Sequence, residues 1–485
     1  MEDREKKELK KRSVDLSEWY TDVLQKAEIA DYGPVRGTMV FRPYGYAIWE
    51  IVQNAFNEFM KEADVKNAYF PMFIPMSLIN REKEHVEGFS PELAVVTKAG
   101  GEDLAEPIVV RPTSETIMYE MYKKWVSSWR DLPLKINQWN SVVRWEKRTH
   151  LFLRTSEFLW QEGHTAHETE GEATDMVFLA LEWYRRIYED YFALPALLGV
   201  KSDSEKFAGA KTTYTIEALM PDGKALQAAT SHNLGQNFSK AFEITFQNRE
   251  STTDFVWQTS WGMSWRALGG LFLTHGDDHG LILPPRVATY QVVIIPVGGT
   301  DDPSTSLRAS LDGYVEEVVR ELSGSGIRVY VDNRDGQTVG RKFNEWEVKG
   351  VPLRVEIGPR EVSDKSLTVV RRDDGEKLSV KLESLIDEVN SLLDGIQDSL
   401  YQKASKFLSD HTYEAKNYDE FRGIMSEKRG FIRALWCGNP ECEIKIKEET
   451  KASTRLRRID ENVNEGECVY CKKPASQVWY FAQAY

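Results

Sequence analysis

Two neighbouring segments of the chain are rich in residues that favour β-strands. They are 142–146 and 152–164, and the polar residues 147–150 lie between them. This pattern predicts an antiparallel hairpin with a polar loop. Because alternate residues of a strand share a face, Arg144 and Glu146 are expected to point to the same side of the hairpin.

The returning segment carries charged and aromatic residues at alternate positions, namely Arg154, Trp160, Glu162 and His164. A β-bulge between its two ends would break that phase. A solvent-exposed strand face would explain one such residue. Fixed charges of both signs beside large aromatic rings, on two adjoining strands, indicate instead a surface that holds a polar ligand with a phosphate and an adenine-like ring.

Apolar residues at helical spacing predict several amphipathic helices in the first 290 residues. The predicted helices are 14–30, 45–62, 117–129 and 172–192. An extended segment at 68–77 precedes a charged stretch at 81–110, whose glycines Gly88, Gly100 and Gly101 predict a mobile loop or lid.

Three further segments combine a predicted strand with polar residues. Residues 108–116 predict a strand that ends at a helix start, where residues 113–116 suit both an N-cap and a polar site. Residues 227–238 are dense in small polar groups, which suits a strand that faces a site. Residues 280–286 predict a short strand, two prolines and an arginine that opens a helix. The lysines and glycine of 201–211 lack the spacing of a phosphate-binding P-loop, although 212–218 reads as a strand.

From about residue 290 the pattern changes to alternating strands and helices, which predicts a small α/β domain with a mainly parallel sheet. The predicted strands are 291–297, 327–332 and 352–357, and the predicted helices are 305–322 and 339–349. Residues 376–410 are predicted to form a helical connector. Cations that would suit contacts with nucleic acid are Arg334, Arg341, Lys342, Arg371 and Arg372. A generic α/β module is the alternative.

Length and charge limit the class of protein. The 485 residues are enough for about two to four domains, and 41% hydrophobic residues are ordinary for a globular protein. No apolar run is long enough to span a bilayer, and the charged residues 1–12 predict no secretory signal, so we expect a cytoplasmic protein without a membrane segment. A net charge of −14 argues against non-specific coating of nucleic acid. It is compatible with a tRNA partner, because exposed charges are screened beyond roughly 10 Å.

All four cysteines lie near the carboxyl end, as the pairs Cys437 with Cys442 and Cys468 with Cys471. Two closely spaced pairs predict a structural zinc site of four thiolates, since a reducing cytoplasm disfavours disulfides. Two disulfides or free thiols are the alternatives. Because no open coordination position is expected, the metal has no predicted catalytic part.

Together these motifs resemble one family. The Arg-x-Glu segment at 144–146, the basic loop and Arg154 are similar to motif 2 of class II aminoacyl-tRNA synthetases, and Trp-Gln-Glu-Gly-His at 160–164 resembles prolyl-tRNA synthetases. Helix 45–62 with the following strand is similar to motif 1, and Pro-Pro-Arg at 284–286 is similar to motif 3. The resemblance covers most of the chain from about residue 15.

The resemblance implies a mixed α/β and α+β multidomain protein. Its expected parts are an antiparallel-sheet class II catalytic core at 1–289, an α/β anticodon-binding domain at 290–398 and a small C-terminal zinc-binding α/β domain at 399–485. It also implies a homodimer formed through motif 1 and a terminal segment, 481–485, that packs back toward the catalytic domain.

The resemblance also implies roles for individual residues. Those expected to bind proline are Thr113, Glu115, Arg144, Trp160, Glu162, Phe207 and His232. Those expected to bind ATP are Arg144, Glu146, Arg154, Thr155, Gln227, Thr230, Ser264, Arg266 and Arg286, with Arg144 and Arg286 as the catalytic residues. Taken alone, His232 would more often be a structural histidine, and Arg286 an ordinary surface cation.

The implied function is ATP-dependent attachment of L-proline to tRNA(Pro) through a prolyl-adenylate, with Mg²⁺ bridging phosphates through groups that include Glu146. The interval between His164 and Thr212 leaves no room for a hydrolytic editing insertion, so mischarged alanyl-tRNA is not expected to be cleared in cis. A threonyl-tRNA synthetase is the rival enzyme, but its catalytic zinc would need a core cysteine and none precedes Cys437. A non-catalytic paralogue is the rival from another class, and loss of Arg144 or Arg286 would have indicated it.

Overall fold

The computed structural model describes residues 8–85, 93–298, 306–461 and 465–485. Helices in the first part of the chain are α1 (Leu16–Lys26), α2 (Pro43–Glu62), α3 (Met76–His85), α4 (Glu115–Trp125), α5 (Glu170–Arg186), α6 (Asn237–Phe242) and α7 (Arg266–His275). Strands there are β1 (Ala30–Tyr32), β2 (Met39–Phe41), β3 (Lys66–Asn67), β4 (Phe73–Pro75), β5 (Ala94–Ala99), β6 (Glu102–Val110), β7 (Leu134–Val143), β8 (Glu157–His167), β9 (Leu197–Val200), β10 (Thr212–Leu219), β11 (Ala225–Gly235), β12 (Thr245–Gln247), β13 (Thr253–Phe255) and β14 (Trp257–Ser264).

The second part of the chain continues with alternating elements. Its helices are α8 (Ser306–Gly324), α9 (Val339–Lys349), α10 (Pro359–Asp364), α11 (Leu385–Asp410), α12 (Tyr418–Glu427) and α13 (Pro440–Thr450). Its strands are β15 (Val292–Pro296), β16 (Val329–Val331), β17 (Leu353–Ile357), β18 (Ser366–Arg371), β19 (Lys377–Lys381), β20 (Thr412–Glu414), β21 (Phe431–Trp436), β22 (Ala452–Arg458), β23 (Gly466–Glu467), β24 (Pro474–Ala475) and β25 (Gln477–Gln483).

One continuous sheet of eleven strands joins the two ends of the chain, in the order β20-β21-β25-β22-β9-β10-β11-β14-β8-β7-β3. The predicted hairpin is its β7–β8 pair, which is antiparallel from Leu134 opposite Ala166 to Val143 opposite Glu157. Between β22 and β9 the sheet passes from the C-terminal part of the chain to the first part. The two parts therefore share backbone hydrogen bonds as well as side-chain contacts.

Helix α5 covers one face of this sheet. Thr169 and Glu172 form a capping box at its start, which satisfies backbone N–H groups of the first turn. Its buried residues Val177 and Tyr184 are seven positions apart, two helical turns, and lie on the same side. The hydroxyl of Tyr184 lies 2.7 Å from the side-chain amide of Gln161 on β8, which fixes α5 against that strand.

A second sheet, with the order β16-β15-β17-β18-β19, forms the α/β unit. Strand β15 pairs in parallel with β16 and β17, as predicted, whereas β18 and β19 add an antiparallel hairpin. The predicted helical connector at 376–410 is wrong at its start, where Leu378 pairs with Val369 and Val380 with Leu367 in the β18–β19 hairpin. Helix α11 begins only at Leu385.

The charged stretch that was predicted to be a loop contains a β-hairpin. Strands β5 and β6 pair antiparallel, and β4 joins β6 to make a three-stranded sheet. Gly100 and Gly101 form the hairpin turn with φ angles of +64° and +89°, a region that glycine adopts without steric cost. The loop prediction is therefore wrong for 81–85, which belong to α3, and for 94–107, where cross-strand pairing outweighs the local excess of charge. The strand predicted at 108–110 is confirmed as the end of β6. Gly88 lies outside the described residues.

The predicted architecture is confirmed as an antiparallel core, an α/β unit and a small C-terminal α/β unit. The expected return of the terminal segment is also confirmed, since Tyr485 N donates to Ala225 O at 3.2 Å. The predicted boundary between residues 398 and 399 lies inside α11, which is continuous. In the described part of the chain, no helix combines the length and apolar character needed to cross a membrane.

We expect Gly163→Ala to lower the melting temperature measured by calorimetry, because a Cβ on Gly163 would overlap the indole ring of Trp261 on the neighbouring strand β14. Overpacking of a buried site costs about 1–3 kcal/mol. The control is Gly171→Ala in α5, where the nearest atom to an added Cβ is Thr169 Oγ1 at 3.9 Å. Equal melting temperatures for the two variants would contradict the close contact.

Candidate active site

A cavity of about 210 Å³ lies against the large sheet. Trp160 and Glu162 of β8 line it, whereas Gln161 between them contacts α5, so the cavity is on the face opposite that helix. The predicted site residues that line it are Thr113, Glu115, Arg144, Trp160, Glu162, Phe207, Gln227, Thr230, His232, Ser264 and Arg266.

The start of α4 brings a carboxylate to this cavity. Glu115 is its first residue and only 4% exposed, and the hydroxyl of Thr113 donates to it. Ser114 occupies the N-cap position without a capping hydrogen bond, because its hydroxyl donates to Glu162 instead. The helix was predicted to begin at 117, two residues later than it does, and the predicted side-chain cap is wrong. A carboxylate that accepts one hydrogen bond from a hydroxyl can accept further hydrogen bonds from the N–H groups of a ligand.

Glu162 is held by donors from three elements. Its carboxylate accepts from Ser114 N at 3.2 Å, Gln138 Nε2 at 3.2 Å and Asn140 Nδ2 at 2.6 Å, and it lies 3.1 Å from His164 Nε2. The carboxylate is therefore engaged by the protein on both oxygens. Glu162 lines the cavity, but its contacts identify it as a residue that positions the others.

The pair formed by Glu162 and His164 is buried. Burial lowers the pKa of His164, but the hydrogen bond with Glu162 and the charges of Glu115 and Glu162 outweigh it and raise the pKa above its ordinary value. Burial acts to raise the pKa of Glu162, yet His164 and the hydroxyl and amide donors hold it below its ordinary value. The geometry therefore favours a carboxylate paired with an imidazolium.

The part of the cavity wall formed by His232 and Phe207 carries no charge. Burial lowers the pKa of His232 to about 3, and the charge of His164 adds to this effect, so the His232 ring is uncharged at neutral pH. Phe207 N donates to Thr213 Oγ1 at 2.9 Å, and Thr213 Oγ1 lies 2.9 Å from His232 Nδ1. This network favours donation by the hydroxyl to Nδ1, with the ring proton on Nε2. The rings of Phe207 and His232 are 4.7 Å apart, so they form one continuous surface.

Arg144 lies beside two aromatic rings of β8. Its guanidinium is 5.5 Å from the ring centroid of Phe158 and 5.4 Å from that of Trp160, and its Nε donates to Pro112 O at 2.9 Å. Arg144 was predicted to lie within the strand. Strand β7 ends at Val143, however, so Arg144 is the first residue after it. The cation is thus held by a backbone carbonyl and stacked rings, which leaves its Nη groups available to a ligand.

A second guanidinium enters the cavity where strand β14 gives way to helix α7. Strand β14 ends at Ser264 and α7 begins at Arg266, whose Nε donates to Leu153 O at 2.9 Å. Burial lowers the pKa of Arg266, and the positive charge of Arg144 adds to this effect. The two cations therefore repel each other, and an anion between them would be stabilised.

Four residues predicted to bind ATP are not among the lining residues, namely Glu146, Arg154, Thr155 and Arg286. Arg154 Nε pairs with Glu146 Oε2 at 2.7 Å. Thr155, the next residue in the chain, is buried. Both charged residues still act on Arg266, since Glu146 raises its pKa and Arg154 lowers it. They therefore lie beside the cavity and near its cationic end.

The placement predicted for Arg286 is wrong. Residues 281–287 form neither a strand nor a helix, and Leu283 N donates to Gly350 O of the α/β unit at 3.0 Å. Arg286 Nη1 donates to Asp190 O at 3.0 Å and does not line the cavity. This segment is shaped by packing between two units, which the local pattern of two prolines and an arginine did not reveal.

Lining residues that the sequence did not predict include Phe158, Lys201, Glu205, Thr213 and Ser260. Phe158 could have been found, because it continues the alternation that Trp160 and Glu162 begin. The others have no local signal. They reach the cavity through strand pairing and through the turn after β9.

The four cysteines meet in the C-terminal unit. Their sulfur atoms all lie within 4.8 Å of one another, with Cys437 Sγ 3.9 Å from Cys442 Sγ and 3.7 Å from Cys471 Sγ. Zn–S bonds of about 2.3 Å in a tetrahedron require S–S separations of about 3.8 Å. All four thiols are free, so the set fits a zinc ion better than two disulfides.

The cations predicted to face nucleic acid are paired within the protein. The pairs are Arg334 with Asp332, Lys342 with Asp332, Arg341 with Glu345, Arg371 with Asp373 and Arg372 with Asp277. Arg372 donates to both oxygens of Asp277, at 2.6 and 2.8 Å, and so joins the α/β unit to the first part of the chain. The positive surface expected from these residues is therefore largely neutralised.

Three family profiles match the chain. They are the tRNA synthetase class II core domain (G, H, P, S and T) at residues 97–273, an anticodon-binding domain at 291–392 and the C-terminal domain of prolyl-tRNA synthetase at 418–485. The first two correspond to the antiparallel core and the α/β unit, and the third contains the four cysteines.

Relatives match over nearly the whole length. Proline--tRNA ligase 2 of Clostridioides difficile (strain 630) is 51% identical over 99% of this chain and 98% of its own. Proline--tRNA ligase of Natranaerobius thermophilus is 49% identical over the same shares. Among solved structures, prolyl-tRNA synthetase from Cryptosporidium parvum, complexed with halofuginone and AMPPNP, superposes with a TM-score of 0.92 at 43% identity, over 98% of this chain and 99% of its own.

We expect Glu162→Gln to lower the pKa of His164, since the hydrogen bond and charge of the paired carboxylate are lost while burial and the charge of Glu115 remain. NMR titration of labelled histidines measures this pKa, and His167, whose pKa burial already lowers to about 4, serves as the internal control. Because the folded-state pKa of His164 is raised, the stability that the pair contributes is present below the ordinary pKa of about 6.5 and is lost as pH rises through the raised value. An unchanged His164 titration in the variant would contradict the pairing.

Proposed function

The chain belongs to the class II prolyl-tRNA synthetases, and on that premise we propose that it attaches L-proline to tRNA(Pro) in two steps through a prolyl-adenylate. The observation that carries the proposal is a single cavity lined by the guanidinium groups of Arg144 and Arg266, the carboxylate of Glu115 and the neutral ring of His232. Guanidinium groups suit phosphate and carboxylate ligands, whereas Glu115 suits a cationic amine.

Proline binds at the end of the cavity near Glu115. Its secondary ammonium has two N–H donors, which Glu115 and the Thr113 hydroxyl oxygen accept, and its carboxylate faces Arg144. The methylene carbons of its ring pack on Trp160 and on the wall formed by Phe207 and His232. The buried position of Glu115 supports this role, because a carboxylate at 4% exposure gains much from a charged partner.

ATP binds at the cationic end. Gln227, Thr230 and Ser264 line the cavity there and offer hydrogen bonds to the nucleotide. Arg266 takes the role that the sequence gave to Arg286, since it is the arginine that opens a helix directly after a site strand. Arg154, whose side chain is about half exposed and paired with Glu146, is near enough to turn to the far phosphates.

The first step is attack of a proline carboxylate oxygen on the α-phosphorus of ATP. The bond to the bridging oxygen breaks, pyrophosphate leaves and prolyl-adenylate forms. Negative charge grows on the phosphate oxygens, so Arg144 and Arg266 act by orientation and charge stabilisation, and no protein nucleophile is needed. In the second step a hydroxyl of the 3′-terminal ribose of the tRNA attacks the prolyl carbonyl, and AMP leaves.

Two metals fit the residues present. Mg²⁺ neutralises phosphate charge when bound, and the Glu146 carboxylate, 26% exposed beside Arg154, has the oxygen ligands that this ion prefers. Zn²⁺ fits the four thiolates of Cys437, Cys442, Cys468 and Cys471, which would hold it as a structural ion of the C-terminal unit without a part in the reaction.

We further propose that this chain does not hydrolyse mischarged alanyl-tRNA itself. Between β8 and β10 the chain forms α5, a π-helical turn at Ile187–Tyr191, β9 and the connection 201–211. Proline and a smaller amino acid such as alanine differ by only a methylene or two. Each methylene contributes only about 1–3 kcal/mol to discrimination by an apolar pocket. The pocket alone therefore does not exclude alanine, and the proposal is that mischarged alanyl-tRNA is not cleared in cis.

The remaining expectations concern assembly and location. Tyr69, Met72 and Phe73 follow α2 and are 72%, 38% and 49% exposed, and such an apolar patch supports a homodimer formed through motif 1.

Functional units at 1–289, 290–398 and 399–485 are in keeping with the profile matches at 97–273, 291–392 and 418–485. A tRNA substrate favours a cytoplasmic location.

We expect Arg144→Ala and Arg266→Ala each to reduce proline-dependent ATP–pyrophosphate exchange by about 10²-fold or more, because each removes a cation from the charge that develops at the phosphate. Arg286→Ala should keep the exchange within about twofold, since its side chain bonds a backbone carbonyl outside the cavity. All three variants should bind tRNA as the unaltered enzyme does, measured by filter binding.

Arg422→Ala is the matched control, because this arginine is exposed on α12, where it pairs with Asp419 and lies over the ring of Tyr418, far from the residues that line the cavity. The same assay run with each of the twenty amino acids tests the substrate. Near-normal exchange in Arg144→Ala, or exchange with threonine and none with proline, would overturn the proposed function.

We expect protein purified without chelator to contain about one zinc per chain, measured by inductively coupled plasma mass spectrometry, because four thiolates complete a tetrahedral site. Cys468→Ser should lose most of the metal and lower the melting temperature. Zinc far below one per chain in the unaltered protein, with the thiols oxidised in pairs, would favour the disulfide alternative.

A further inference from the structure

The turn after β9 forms part of the wall of the amino-acid pocket. Lys201, Glu205 and Phe207 all line the cavity, and Phe207 adjoins His232. In a pocket whose discrimination rests on ring contacts, a shift of this turn by a fraction of an ångström changes which amino acid fits. What holds the turn is therefore part of the specificity of the site.

Ser202 organises the turn. Its carbonyl oxygen accepts from Glu205 N at 3.1 Å and from Lys206 N at 2.9 Å, which closes residues 202–206 into a compact loop. Phe207 follows directly and is fixed by its own N–H to Thr213 Oγ1. The position of Ser202 therefore sets the positions of both Glu205 and Phe207.

The side chain that anchors Ser202 comes from the C-terminal unit. Glu443, in the first turn of α13, is 4% exposed. Its carboxylate accepts from Ser202 Oγ at 3.2 Å and also from the hydroxyls of Ser204 and Thr454. The cost of removing this carboxylate from water is offset by hydrogen bonds from the three hydroxyls. Two of those hydroxyls belong to the turn.

A second buried contact joins the same two regions. Arg455 of β22 donates to both carboxylate oxygens of Glu217 on β10, at 2.9 Å, and Lys201 Nζ donates to Glu217 Oε1 at 2.9 Å. All three side chains are nearly fully buried. Arg455 thus reaches across the β22–β9 junction and fixes the charge partner of a residue that lines the cavity.

We propose that Glu443 and Arg455 of the C-terminal unit are positioning residues for the proline pocket, and that they act by holding the 201–207 turn against the cavity. The inference rests on the proposed function, because the proposed function identifies proline as the ligand of that pocket. Neither residue touches the substrate. The four-cysteine unit is thereby a structural part of amino-acid selection, since Cys442 and Glu443 are adjacent in the same helical turn.

The test compares steady-state constants in ATP–pyrophosphate exchange. Glu443→Ala should raise KM for proline by about tenfold, while KM for ATP and kcat change by less than about twofold, because the nucleotide end is built from other strands. Glu443→Gln keeps one acceptor oxygen in place and should restore most of the proline affinity. A variant that merely lowers the fraction of folded enzyme would lower kcat and leave both KM values unchanged.

Ser204→Ala tests the contact from the other side and does not depend on folding of the C-terminal unit. It should raise KM for proline several-fold, and the double variant with Glu443→Ala should be no worse than Glu443→Ala alone, because both changes break one interaction. Hydrogen exchange at the amides of 203–206 should accelerate in each variant. Glu441→Gln, an exposed carboxylate in the same turn of α13, is the matched control and should leave all values unchanged.

An unchanged KM for proline in Ser204→Ala, together with unchanged exchange at 203–206, would overturn the inference. If Glu443→Ala fails to fold, Ser204→Ala decides alone. An unaltered protein with no proline-dependent exchange would instead overturn the proposed function, and the hydrogen-exchange comparison would still show whether Glu443 holds the turn.

Discussion

The carboxylate of Glu162 is 1% exposed, and the arrangement of the site depends on compensating its charge. Removing a carboxylate from water costs several kcal/mol unless donors and a countercharge replace the water. Those donors come from Ser114 at the start of α4, Asn140 on β7 and His164 on β8. The same requirement therefore fixes the start of α4 relative to the sheet, and so brings Glu115 to the cavity.

Local patterns predicted those parts of the fold whose limits are set by neighbouring residues. Helix α9 was predicted with its observed ends, because Thr338 caps its first turn and Gly350 ends it with a φ of +75°. On β8 the alternation of Trp160, Glu162 and His164 survives in the structure, and it correctly grouped three lining residues. Both successes use information that lies within a few residues.

What the sequence could not reveal depends on distant partners. Arg286 has the local setting of a site arginine, but a carbonyl at Asp190, far away in the chain, takes its guanidinium. Arg372 looked like a cation for nucleic acid, yet Asp277 accepts from both of its terminal nitrogens and Glu347 O accepts from its Nε. Charge counted along the chain cannot distinguish a free cation from a paired one, because pairing is decided by the fold.

The eleven-strand sheet explains why a C-terminal unit can matter for a pocket more than 200 residues earlier. Strand β22 continues the sheet past β9, and a Cβ on Gly199 would collide with the backbone of Arg457, so the two strands meet at close range. Backbone pairing of this kind resists sliding, whereas side-chain contacts alone permit it. Because packed interiors transmit strain, a pocket that distinguishes small rings needs walls that do not yield. The proposal follows from that need, since β22–β9 pairing and the buried contacts of Glu443 and Arg455 join the outer turn to the C-terminal unit without adding any group to the reacting centre.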